Sequence, residues 1–85
     1  MVKQYVIYLE LDGKRDIAIG TTNSADIADS IYAMYINQIK NGLVKYSVGH
    51  NVGRITKVSI FRRYDKARFS FSLTEGFKEE FKKAA

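Results

Sequence analysis

The chain has 85 residues, 46% of them apolar and 27% charged, with a formal net charge of +5 and neither cysteine nor proline. This suits one domain with a small core and ordinary globular composition, and the lack of cysteine excludes disulfides, thiolate chemistry and zinc sites built on sulfur. The longest uninterrupted apolar run, Ile31 to Ile36, is far shorter than the ~20 residues that cross a bilayer; with no signal-type cleavage motif, the expected location is cytoplasmic.

Residues 2–11 read as a first strand, with Tyr5, Ile7, Leu9 and Leu11 on one face and Gln4, Val6, Tyr8 and Glu10 on the other. Asp12-Gly13 is a strong hairpin signal, and Ile17 and Ile19 continue the alternation in a second strand. Asn23 or Ser24 then supplies a cap for a helix over about 25–40. Its apolar arc comprises Ile27, Ala28, Ile31, Tyr32, Met34, Tyr35, Ile36 and Ile39. Asn41-Gly42 is a stop.

Residues 43–48 predict a short strand, 49–53 a flexible loop, 55–64 a longer strand, 65–66 a turn and 67–73 a further strand. Ser72 and Glu75 stand at capping-box spacing, and Phe77 and Phe81 at i, i+4, which predicts a short terminal helix over about 74–83. The expectation is a single compact α+β domain over residues 1–85, of order ββαβββα. The central helix packs on an antiparallel sheet over a core of Ile7, Leu9, Ile17, Ile19, Ile31, Tyr35, Ile39, Val58, Ile60, Phe69 and Phe71.

Charge is distributed unevenly. Residues 1–41 carry four Lys and Arg against five acids, whereas residues 45–68 carry seven cations against the single acid Asp65, a formal charge of +6. Such a stretch, interleaved with aromatics, is what nucleic-acid backbones and unstacked bases require. The predicted contacts are Lys45, Arg54, Lys57, Phe61, Arg62, Arg63, Lys66 and Arg68 on a basic β-hairpin, with Phe61 as a stacking ring between cations. If instead Phe77 and Phe81 cover Phe61, the stacking reading is lost. Gly49, His50, Asn51 and Gly53 form a candidate anion-binding loop, although its order is neither that of a P-loop nor of a dinucleotide fingerprint.

One histidine, no cysteine and scattered carboxylates give no catalytic or metal-ligand spacing, so no enzyme activity, metal or cofactor is expected. Residues 43–81, as three strands and a helix, resemble in outline the sheet-plus-helix modules that place a sheet in the DNA major groove. That resemblance implies DNA binding through the sheet. The sequence thus points to a small non-enzymatic binding protein of bacterial or phage type that contacts DNA or RNA. The rival expectation is a protein-interaction module, an inhibitor, adaptor or homodimer that presents the basic hairpin or sheet face to an acidic partner.

Overall fold

A computed structural model describes residues 3–42 and 45–81. The elements in chain order are β1 (Tyr5–Leu11), β2 (Arg15–Thr22), α1 (Ala25–Lys40), β3 (Lys45–Val48), β4 (Asn51–Arg62), β5 (Arg68–Ser72) and β6 (Gly76–Glu80). All strand pairs are antiparallel, in the spatial order β2-β1-β4-β5-β6, with β3 paired to the first four residues of β4. The predicted starts at Val2 and Leu43, and the predicted helix end at Lys82 and Lys83, lie outside the described residues.

Asp12 and Gly13 both have positive φ, 56° and 68°, and Lys14 N–H donates to the Leu11 carbonyl at 3.0 Å. That is a type I′ turn, whose twist matches the strands it joins. Two further contacts tie the turn to β4. Asp12 exchanges backbone and side-chain bonds with Arg54 at 2.8 and 2.9 Å, and Gly13 N–H donates to Thr56 Oγ1 at 2.9 Å. Thr56 is the extra residue of a β-bulge, because Glu10 pairs with Lys57 and Leu11 with Ile55.

Ser24 caps α1 by accepting from Ile27 N–H. The helix buries Ala28, Ile36 and Ile39 against Tyr5, Ile7, Leu9 and Leu11 of β1, Ile55, Val58 and Ile60 of β4, and Phe71 of β5. Ile17, Ile19, Ile31, Tyr32 and Tyr35 pack on this cluster while only partly buried. The apolar arc is wider than the sheet can cover, and Ile27 and Met34 remain exposed on its flank.

Two expectations need correction. Residues 49–53 are not a loop: only Gly49-His50 turns, with Gly49 at φ 58°, and β4 already begins at Asn51. The terminal helix is a strand. Ser72 Oγ does accept from Glu75 N–H at 3.1 Å, as a cap would. Gly76 then takes φ 68°, reverses the chain, and pairs with Ser72 to start β6. The misleading signal is the four-residue spacing of Phe77 and Phe81, which fits one helical turn or two strand repeats equally. The resemblance to sheet-plus-helix DNA-binding modules falls with that helix.

Two glycines test this architecture. A Cβ on Gly53 collides with Asp12 Oδ2 and lies 3.1 Å from Leu11 Cβ, so Gly53→Ala should destabilise by about 1–3 kcal/mol in urea unfolding. Removing the obstacle with Asp12→Ala should make the double change less than additive. Gly76 has free space around it, so Gly76→Ala reports on backbone conformation alone. In the hairpin it should cost about 1 kcal/mol; in a helix it would stabilise by a similar amount.

Candidate functional site

The pleat of β4 decides where the basic segment goes. Val58, Ile60 and Arg62 share the helix-covered face, because Ile60 pairs with Ile7, Val58 with Leu9 and Arg62 with Tyr5. Lys57, Ser59 and Phe61 therefore share the opposite face, which is helix-free among the described residues. Their neighbours on it are Val6, Tyr8 and Glu10 of β1, Asp16 and Ala18 of β2, Arg68, Ser70 and Ser72 of β5, and Lys78 and Glu80 of β6.

Arg68 crosses this face. Its Nη2 donates to Asp16 Oδ2 at 2.9 Å and lies 3.4 Å from Ser59 Oγ, while its guanidinium stands 4.9 Å from the Tyr8 ring centroid. In a flat sheet β5 and β2 would be three strand spacings apart, about 14 Å, too far for one Arg and one Asp to meet. The sheet therefore coils, and the helix-free face is concave. Small residues suit that interior: Ser59, Ser70 and Ser72 are buried there with no helix above them, as is Val6.

The charges are redistributed accordingly. Lys57 pairs with Glu10 at 3.3 Å, Arg62 with Asp65 at 2.6 Å, and Arg68 with Asp16. Arg62 lies on the helix side, over the Phe69 and Tyr64 rings at 4.9 and 5.5 Å. Lys45, Arg54, Arg63 and Lys66 have no ion-pair partner among the described residues. Lys45 and Arg54 face each other across β3 and β4, whereas Arg63 and Lys66 sit in the turn after β4. Arg54 and Arg62 are eight residues apart on one strand, about 26 Å. The +6 stretch is thus two cationic ends joined by a neutralised middle.

Phe61 lies near one of those ends. Its half-buried ring meets Tyr8 edge-on at 6.5 Å between centroids, and Lys66 Nζ stands 5.9 Å from its centroid. Phe77 and Phe81 do not cover it; they pack against Phe71 and Phe69 at 4.8 and 5.9 Å. A shallow cleft of about 340 Å³ opens beside Phe61, lined also by Lys66, Arg68, Glu80 and Phe81. An aromatic floor, two cations and one acceptor carboxylate are the groups that take a flat, hydrogen-bonding ring with an attached anion.

The candidate anion loop is not assembled. His50 is exposed at the hairpin tip, Asn51 and Gly53 belong to β4, and the Asp12 carboxylate fills the space over Gly53 while accepting from Arg54 N–H. Among the described residues no group of three His, Cys, Asp or Glu can hold a metal ion, and no helix is long and apolar enough to cross a membrane. A second cleft, about 390 Å³, lies between α1 and β6 and includes Tyr32 and Phe77. Burial, and secondarily Glu79, raises the Tyr32 hydroxyl above its ordinary pKa and keeps it protonated.

Sequence reasoning did not find Glu10 and Asp16 as counter-ions, nor Glu80 and Phe81 as lining of the Phe61 cleft. Alternation alone assigned Glu10 and Tyr8 to one face. Which strands flank that face depends on long-range pairing, which has no local signature. Compared with protein-family models, curated proteins and solved structures, the chain matches none.

Arg68→Ala removes a ring contact, an ion pair and the cover over Ser59, and should destabilise by about 1–2 kcal/mol. Asp16→Ala should cost less. A double-mutant cycle on the two should return a coupling of no more than about 1 kcal/mol, since both groups keep access to water.

Proposed function

We propose that this is a non-enzymatic binding protein that takes single-stranded nucleic acid on the concave sheet face, with a base stacked on Phe61. The observation that carries this reading is the placement of Phe61 on the helix-free face, in a cleft with Lys66 and Arg68. Phosphates would be held by Lys57, Arg63, Lys66 and Arg68. Two of these already have carboxylate partners, but such partly exposed pairs contribute only ~0–1 kcal/mol. A phosphate that takes Arg68 from Asp16 therefore gives up little. Lys45 and Arg54, opposed across β3 and β4 and with no ion pair among the described residues, offer a second phosphate contact for a longer strand. Arg62, held on the helix side by Asp65, is outside this surface.

A concave, coiled sheet favours a pliable single strand over a straight duplex, and base stacking requires bases that are already unpaired. The second reading, a protein-interaction module, is favoured by the exposed Leu73, Phe77 and Phe81 around the β5–β6 hairpin. An acidic protein surface would be bound through the same cations.

Fluorescence titration with single- and double-stranded DNA and RNA at ~50 mM salt separates these readings. Single strands should bind, and Phe61→Ala should weaken them by the ~1–3 kcal/mol of one stacked base without unfolding the domain. Absence of binding to all four, or equal binding by the Phe61→Ala protein, rejects the proposal.

A further inference from the structure

Among the described residues, the strand path β2-β1-β4-β5-β6 ends in two edge strands, and they differ. β2 carries a bulge at Ile19, where Ile7 pairs with Gly20 and Tyr8 with Ala18, and bulges spoil an edge for further pairing. β6 is paired to β5 in an unbroken register over five residues, and its outer side has no strand against it among the described residues. Along it lie Phe77 and, one residue beyond, Phe81, 66% and 59% exposed, with Leu73 exposed in the preceding turn. Charged residues on an edge strand normally discourage pairing. Here they are of both signs and lie between the two rings: Phe77, Lys78, Glu79, Glu80, Phe81.

Symmetry narrows what such an edge can pair with. When an antiparallel edge meets its own copy, the two-fold axis stands perpendicular to the sheet, so one residue must face itself. Three centres, Lys78, Glu79 and Glu80, leave residues of this stretch on both sides. With Lys78 at the centre, Lys78 meets Lys78 and Phe77 meets Glu79. With Glu80 at the centre, Glu80 meets Glu80 and Phe81 meets Glu79. With Glu79 at the centre, Phe77 meets Phe81 twice and Lys78 meets Glu80 twice, and the only like-charge contact is Glu79 with itself. Of these three, only this register makes the pattern self-complementary.

We propose that a second copy of this chain binds along β6, with Glu79 on the two-fold axis, extending the sheet across the dimer. Paired residues share a face, so both α1 helices lie on one side and both concave faces on the other. Phe77 and Phe81 of the two chains join on the helix side. Lys78 and Glu80 join on the concave side, where Lys78 already has Glu75 and Glu80 of its own chain within 3.4 Å. The interface shares Glu80 and Phe81 with the cleft beside Phe61, but its formation needs no nucleic acid.

Charge exchange tests both partner and register. Sedimentation of the intact protein should show a dimer. Lys78→Glu opposes two carboxylates at both of the outer charge pairs, and Glu80→Lys opposes two ammonium groups there. Each should weaken the dimer by at least about tenfold. The double change Lys78→Glu with Glu80→Lys restores both opposite-charge pairs and should restore the affinity. An equimolar mixture of the two single variants should form a heterodimer, because both of its outer pairs set a carboxylate against an ammonium group, as neither homodimer does. Glu79→Gln, which removes the central repulsion, should tighten the dimer. All substituted side chains are exposed, and circular dichroism verifies that each variant is folded. A wild-type protein that stays monomeric to roughly 1 mM, or single variants that dimerise as well as wild type, would overturn the proposal. So would a double variant that stays as weak as the single ones.

Discussion

The two-residue period of β4 is the constraint on which the rest depends. This strand lies at the centre of the sheet and pairs with β1, β5 and β3. It carries Arg54, Lys57, Phe61 and Arg62, with Arg63 just beyond its end. Because successive side chains must point to opposite faces, a cationic run along it cannot become a single cationic surface. Lys57 goes to the concave face and Arg62 to the helix side, while Arg54 and Arg63 are carried to opposite ends. The same alternation sends Val58 and Ile60 into the core and Phe61 away from it.

The concave face follows from the next level of interaction. Arg68 reaches Asp16 across two intervening strands, and that contact exists only because the sheet coils. Coiling in turn requires small interior residues, which Ala18, Ser59 and Ser70 provide. The result is a face whose centre is charge-balanced by Glu10 and Asp16 and whose aromatic pair, Tyr8 and Phe61, lies beside a cleft. The bulge at Thr56 and the Asp12–Arg54 contacts fix β4 against the first hairpin, so this arrangement has one register.

Much of the local structure was legible in the sequence. Asp12-Gly13 signalled a hairpin, Asn23 or Ser24 a cap, and the alternation from Tyr5 to Leu11 a buried face. The errors have a common physical origin. Phe77 and Phe81 satisfy helix and strand periods alike, and only the left-handed backbone at Gly76 separates the two. Gly49 to Gly53 read as one flexible loop because glycine signals turns and close approaches alike. Gly49 makes the turn, and Gly53 accommodates Asp12. The charge run was legible as a number but not as a surface, since Lys57 and Arg68 find their counter-ions on β1 and β2, far away in sequence.

The salt dependence of single-strand binding tests this partition of charge most directly. For single strands the slope of log K against log salt is about −0.7 per phosphate contact. For an oligonucleotide short enough to occupy the concave face alone, without Lys45 and Arg54, two to four cations predict a slope between roughly −1.4 and −2.8. A slope near roughly −5, the value expected if all seven cations between Lys45 and Arg68 acted together, would contradict it.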